Sequence, residues 1–235
     1  MKESRWHEVW SRHGVEHDAE SRSPLAGMLA ADGFDTGFGS ITEDAWTDFV
    51  RRTCNRLELR PGDSLFEVGC GSGAFLYPAF VAGIDVGGVD YSARLIEDAR
   101  RVMPGAAFTV AEAAELDTQP AVDAVVACSV FFYFPSYEYA RLVIERMARK
   151  AVRAVAVLDV PDLATAAEAL AGRQERLGGA ATYAERYDGL DHRFDREWMA
   201  EAMRDAGLTD VVIEDQQIAN YANARYRFNA FARVP

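Results

Sequence analysis

The chain has 235 residues, about half of them apolar, which is enough to bury one substantial core. No apolar run approaches the ~20 residues of a membrane span, and the charged, aromatic stretch Met1–His17 lacks the apolar centre of a signal peptide; a cytoplasmic location without a membrane partner is expected. A formal net charge of −12 with no run of Lys or Arg argues against a nucleic-acid partner, because such a surface repels phosphate backbones.

In chain order, the first forty residues lack clean periodicity but carry Trp6, Trp10, Phe34 and Phe38 among Gly and Asp. That pattern predicts a helix and an ordered loop laid over a core. "SITE" at Ser40–Glu43 fits a capping box, and Trp46, Phe49, Val50, Cys54 and Leu57 follow at helical spacing. The predicted helix runs to about Leu59 and stops before Pro61-Gly62. Strands are then predicted at Ser64–Val68, Ile84–Val89, Ala107–Val110, Asp123–Cys128 and Val152–Leu158. They alternate with helices at Ala74–Ala82, Ser92–Met103 and Ser136–Lys150, the pattern of a parallel sheet covered on both faces. After Asp159 the alternation breaks. A helix-like segment (Asp162–Leu177) leads through Gly178-Gly179 into a polar, aromatic stretch. A helix over Asp195–Ala206 is capped by Asp195 and closed by Gly207. The strand Asp210–Glu214 and the alternating "RYRFNAFARV" read as an antiparallel hairpin at the sheet edge.

The chemistry concentrates in "LFEVGCGSGAF". Gly69-Cys70-Gly71-Ser72-Gly73-Ala74 satisfies the dinucleotide pattern G-x-G-x-x-G/A, and Asp90 ends the next strand near the ~20-residue offset of a ribose-binding acid. On spacing alone an NAD(P)-dependent oxidoreductase stays open. Gly73 adds a glycine that a dinucleotide turn does not need. Glu67, at the strand end, would repel a pyrophosphate but attract the α-ammonium of an amino-acid-bearing cofactor. Some sixty residues precede the loop and are available as a lid.

With these residues in view, the chain resembles the class I S-adenosylmethionine-dependent methyltransferases. "FEVGCGSG" looks like the family's first motif and "GGVDYSARLIEDAR" like its second. "FTVAEAAEL" is similar to its adenine-contacting turn, and "DAVVACSVFFYFP" to its fourth motif. The likeness spans roughly Arg60 to Leu158. It implies a doubly wound, Rossmann-like α/β fold with a mostly parallel seven-stranded sheet, helices on both faces and an N-terminal helical lid. One domain over 1–235 is expected: lid 1–59, cofactor-binding core 60–160, acceptor-side insertion 161–194, and closing helix with β-hairpin 195–235. The resemblance further implies S-adenosylmethionine as cofactor. Gly69, Gly71 and Gly73 would line its methionine and ribose portion, with Glu67 near the ammonium. Asp90 would take the ribose hydroxyls, Tyr91 and Ser92 would flank the adenosine, Glu112 and Ala113 would meet the adenine edge, and Ser129 and Val130 would face the methionine arm.

Methyl transfer from a sulfonium is an in-line displacement in which positioning does most of the work; an oxygen or carbon acceptor also calls for a base. Two catalytic candidates follow: His192 beside Asp191 in "TYAERYDGLDHRFD", which also holds Tyr183 and Tyr187, and Tyr133 in "SVFFYFP". The second stretch lacks the Asp/Asn-proline-aromatic pattern by which nucleic-acid amine methylases resemble one another, so a small-molecule acceptor is expected. Oxygen is slightly preferred over nitrogen or carbon, with specialised-metabolite biosynthesis as a setting. A non-catalytic S-adenosylmethionine-binding protein stays open beside it. Cys54, Cys70 and Cys128 follow no ligand spacing and no metal is expected. Cys70 and Cys128 read as packed residues, and Asp159 and Asp162 as loop and helix-cap residues. Tyr221, Asn223 and Asn229 are expected around the hairpin turn.

Overall fold

The computed structural model of the protein describes residues 23–34, 41–176, 178–179 and 193–235. Seven strands form one sheet: β1 (Ser64–Val68), β2 (Asp85–Asp90), β3 (Ala107–Val110), β4 (Val122–Cys128), β5 (Ala151–Pro161), β6 (Thr209–Asp215) and β7 (Arg227–Arg233). Their order is β3-β2-β1-β4-β5-β7-β6. The first five run parallel, and β7 is antiparallel to both β5 and β6. The strand order reverses between β1 and β4, and in such sheets the crevice at the carboxyl ends beside that reversal is where ligands bind.

Helices α1 (Pro24–Ala31), α2 (Glu43–Arg56), α3 (Leu76–Val81) and α4 (Ala93–Val102) cover one face; α5 (Tyr137–Lys150) and α7 (Arg196–Asp205) cover the other, and α6 (Ala166–Arg176) follows β5. Parity along the strands assigns the faces. Ala124, Val126 and Cys128 of β4 pack with Met28, Trp46 and Ile96, whereas Val125 and Ala127 pack with Val143, Ile144 and Met199. Because both faces are covered, the central strands are nearly continuous apolar runs.

Several predicted boundaries move for identifiable reasons. The cap of α2 is Thr42, whose Oγ1 accepts from Ala45 N at 3.2 Å, so Glu43 becomes the first helical residue. Ser40, the first residue of the predicted capping box, lies outside the described residues. The helix ends at Arg56, three residues early, because Glu58 turns left-handed (φ 59°) and Leu59 N closes back on Cys54 O. Helix α3 begins at Leu76, since the glycine loop occupies Gly69–Ala74. The closing strands are antiparallel as expected, but only β6 is at the edge: β7 inserts between β5 and β6 and is buried on both faces. Trp46 is fully buried, donates from Nε1 to Ala74 O (2.8 Å) and packs at 4.4 Å on Phe34. Trp6, Trp10 and Phe38 lie outside the described residues. Among the described residues no helix is long and apolar enough to cross a membrane.

Candidate functional site

The glycine loop leaves β1 after Val68 and is pinned at once to the neighbouring strand. Gly69 N and Cys70 N both donate to Val89 O (2.8 and 3.1 Å), and Gly71 N donates to Asp90 Oδ2 (2.9 Å). The other oxygen of Asp90 accepts from Ser92 N at 2.8 Å, so the carboxylate at the end of β2 is oriented by two amides. Gly69 has φ 71°, and a Cβ there would lie 2.4 Å from Val130 Cγ2; both conformation and space demand glycine. Gly71 has φ 53°, and its missing Cβ leaves room for Asp32, whose Oδ1 would otherwise be 2.5 Å away. Gly73 faces the core instead, where a Cβ would meet Met103 Cε at 2.4 Å.

Asp32, the residue that ends α1, has no counterpart among the sequence-derived candidates. Its carboxylate accepts from Ser72 N (2.7 Å) and Ala74 N (3.3 Å), while Ser72 Oγ donates to Met28 O (3.3 Å). Nothing local could have marked it, because the partners are some forty residues downstream. Glu67 shares its side of β1 with Leu65 and points into the same face; it is 2 % exposed, and its Oε2 has no hydrogen-bond partner among the described residues. Burial, then repulsion from Asp32 and Asp90, holds the Glu67 carboxyl well above the usual range. Burial pushes Asp32 up to about 7, against the pull of the Ser72 and Ala74 amides. The buried Cys70 and Cys128 thiols are likewise raised, first by burial and then by nearby carboxylates, so they are packed groups rather than nucleophiles.

Farther along the crevice, Tyr91 is half-buried, and its hydroxyl is raised by burial and then by Asp90 and Glu112. Glu112 accepts from the Tyr139 hydroxyl (3.2 Å), which in turn accepts from Ala114 N (3.1 Å). Ala113, half-buried, opens a short 3-10 helix beside them.

At the carboxyl ends of β4 and β5 a second polar cluster departs from expectation. Asp159 is not a loop residue. It lies within β5 at an irregularity in the pairing with β7, has φ 58°, and is 1 % exposed. Ser129 Oγ (2.6 Å), Arg227 Nη1 (3.1 Å) and the Tyr221 hydroxyl (3.3 Å) all donate to its Oδ2. Gln216 Nε2 donates to Oδ1 (3.1 Å), and the Asp159 amide donates to Asn229 Oδ1 (2.8 Å). Ser129 is left-handed too (φ 56°), so two non-glycine residues hold a costly backbone at adjoining strand ends. Asn229 therefore sits within β7 rather than in a turn, and the sequence signal that was available is a charged and an amide residue, Arg227 and Asn229, inside an otherwise apolar strand. Asp162 is the expected cap, accepting from Ala164 N (2.9 Å) and pairing with Arg196 (2.7 Å).

Tyr133 is half-buried on a short 3-10 helix, its ring 4.0 Å from that of Phe132, over which Arg227 stacks at 4.6 Å. Phe131 and Phe134 are core. His192, with Tyr183, Tyr187 and Asp191, lies outside the described residues. Among the described residues no three His, Cys, Asp or Glu converge to hold a metal ion.

Residues 66–157, which contain the glycine loop, Asp90, Glu112 and Ser129, match a family model described as a methyltransferase domain. The match covers the core of the chain, and the seven-stranded fold built around it is the Rossmann-like fold of S-adenosylmethionine-dependent methyltransferases. No protein of curated function is significantly similar to this chain in sequence. Among solved structures, it is similar to magnesium protoporphyrin IX methyltransferase from Synechocystis PCC 6803 with bound S-adenosylhomocysteine (17 % identity, TM-score 0.58, covering 98 % of this chain and 93 % of that one). It is also similar to an amino pentose methyltransferase, CalS10, from Micromonospora echinaspora with bound S-adenosylmethionine (16 %, TM-score 0.62, 81 % and 92 %). A third likeness is to DesVI of Streptomyces venezuelae (15 %, TM-score 0.61, 90 % and 98 %). At these identities the likenesses establish the methyltransferase fold.

Proposed function

We propose that this methyltransferase moves the methyl group of S-adenosylmethionine to a small-molecule acceptor. The observation that carries the reading is the buried Oε2 of Glu67 beside the glycine loop, which has no partner among the described residues, with the Asp90 carboxylate fixed at the end of the next strand. An orphaned buried carboxylate oxygen is costly unless a ligand supplies a donor. The α-ammonium of the donor fits that need, the ribose diol fits Asp90, and a pyrophosphate fits neither. Bound there, S-adenosylmethionine supplies an electrophilic methyl group on a sulfonium and leaves as a neutral thioether.

The chain's own residues divide the work. Gly69, Gly71 and Gly73 keep the loop backbone close to the methionine arm, and Ser129 borders it. Tyr91, Glu112 and Ala113 form the adenine end. Tyr133 lies beside the ordered Ser129–Asp159 corner, where the acceptor would meet the methyl. His192 is proposed as the base, and the preference for oxygen over nitrogen or carbon rests on it. Two of the similar structures are named for small acceptors, a magnesium porphyrin and an amino pentose, which supports the same class here. A place in specialised metabolism follows as a proposal from that class.

Thermal-shift titration tests the donor: S-adenosylhomocysteine should raise the melting temperature and NAD(P) should not, and the reverse would overturn the reading. Methyl-labelled S-adenosylmethionine offered with a panel of small alcohols, phenols, amines and activated carbons tests transfer. Binding without label reaching any member would favour a non-catalytic binder.

A further inference from the structure

The loop that would hold the donor carries a carboxylate no motif accounts for. Asp32 belongs to α1, whose Leu25, Met28 and Leu29 pack into the same side of the sheet toward which Leu65 and Glu67 point. Its two oxygens take the amides of Ser72 and Ala74, and it lies over the face of Gly71 that a side chain would otherwise fill. Gly71 is thereby flanked by two carboxylates, Asp32 at its Cα and Asp90 at its amide. A simple clamp on the loop needs no buried acid close enough to repel it, yet Glu67 is there, 2 % exposed, with an oxygen that has no hydrogen-bond partner among the described residues. Packing acids together is unfavourable unless something positive completes the group.

We infer that Asp32 is a donor-binding residue: with Glu67 it forms a two-carboxylate seat for the α-ammonium of the methyl donor, and it ties α1 to that seat. The inference rests on the methyltransferase reading. The groups facing the seat are Asp32 from α1, Glu67 from β1, Cys70 from the loop, Asp90 from β2 and Cys128 from β4; the two thiols are held neutral. Since burial pushes the Asp32 carboxyl up to about 7, seating an ammonium there should drive a proton off.

Two ligands separate this role from a structural one. S-adenosylhomocysteine carries the ammonium, and 5′-methylthioadenosine keeps the nucleoside thioether without the amino acid. Calorimetry at pH 8 should find that Asp32→Asn weakens S-adenosylhomocysteine about tenfold or more, as the loss of one charge-assisted contact does, and changes 5′-methylthioadenosine less than about twofold. Near pH 7 the wild-type protein should release protons on binding the first ligand and not the second, and the variant should release fewer. Equal loss of both ligands, no loss of either, or tighter binding of S-adenosylhomocysteine (Asp32 then occupying the place of the ligand's own carboxylate) would each overturn the role of Asp32 alone. A wild-type protein that bound neither ligand would overturn the methyltransferase reading and this inference with it. Should Asp32→Asn not fold, the wild-type profile decides: S-adenosylhomocysteine affinity must climb with pH through about 7 while that of 5′-methylthioadenosine stays level, and two level profiles would overturn the proposal.

Discussion

Two groups of acids, each with a buried member, stand at the carboxyl ends of the central strands, and they are finished to different degrees. Around Asp159 the chain supplies everything: a guanidinium, a tyrosine, a serine and an amide all donate to one carboxylate. Around the glycine loop it supplies carboxylates, with neutral donors from Ser72 and Ala74 on Asp32 and no partner for Glu67 Oε2 among the described residues. The first is a completed structural knot that holds two left-handed residues at adjoining strand ends. The second is a charge problem left for a ligand to solve. The difference teaches how to read buried acids: a satisfied one shapes a site, and an unsatisfied one names the charge of what binds.

Substitutions should therefore act with opposite signs in the two places. The largest effect is expected from Arg227→Leu, which strands Asp159 as an uncompensated buried charge; urea denaturation should show a loss of about 3–5 kcal/mol. If stability barely changes, the knot is not holding the strand ends. Next comes Asp90→Ala, which removes the acceptor of the Gly71 and Ser92 amides. It should weaken S-adenosylhomocysteine by roughly 10- to 100-fold, the worth of one or two hydrogen bonds to a charged group, and binding at wild-type affinity would remove the ribose role. Glu67→Gln sharpens the contrast because stability and function should part. Differential scanning calorimetry should find the unliganded melting point unchanged or higher, while affinity for S-adenosylhomocysteine falls about tenfold; a lower melting point would make Glu67 a structural residue.

The smallest effect concerns pH. The Asp32 carboxyl ordinarily titrates at 3.8 and is raised to about 7 in the fold. Between those values the folded chain holds a proton that the unfolded chain has lost. Its contribution to stability is thus complete below the ordinary value and disappears as pH rises through about 7. Between pH 5.5 and 8 the unliganded protein should melt at progressively lower temperature, and Asp32→Asn should flatten that slope. An unchanged slope would show that Asp32 does not titrate there.

The parallel core was legible because strand and helix periods alternate strongly from Ser64 onward, and β1 and β3 fall at the predicted residues. Boundaries moved where one side chain outbid another, as Thr42 did at the start of α2, or where a residue turned left-handed, as Glu58 did at its end. The donor side of the site follows from a local motif, because Glu67, the glycines and Asp90 are held together by one strand-loop-helix-strand unit. Asp32 reaches that loop from the end of another helix, and Asp159 gathers partners from the residue after β4, from β7 and from the segment between β6 and β7. Periodicity reports which face a residue shares, not which distant side chain it meets, so these convergences were not legible. The sequence clue was the pair of polar residues, Arg227 and Asn229, in the otherwise apolar first part of β7.

The structure of the chain with S-adenosylhomocysteine bound tests the central claim most directly. The account predicts the ligand's α-ammonium within hydrogen-bond distance, about 3 Å, of Glu67 Oε2, and both ribose hydroxyls on Asp90. A ligand whose amino-acid arm turned away from Glu67, or a dinucleotide pyrophosphate settled on Gly69–Gly71 in its place, would contradict it.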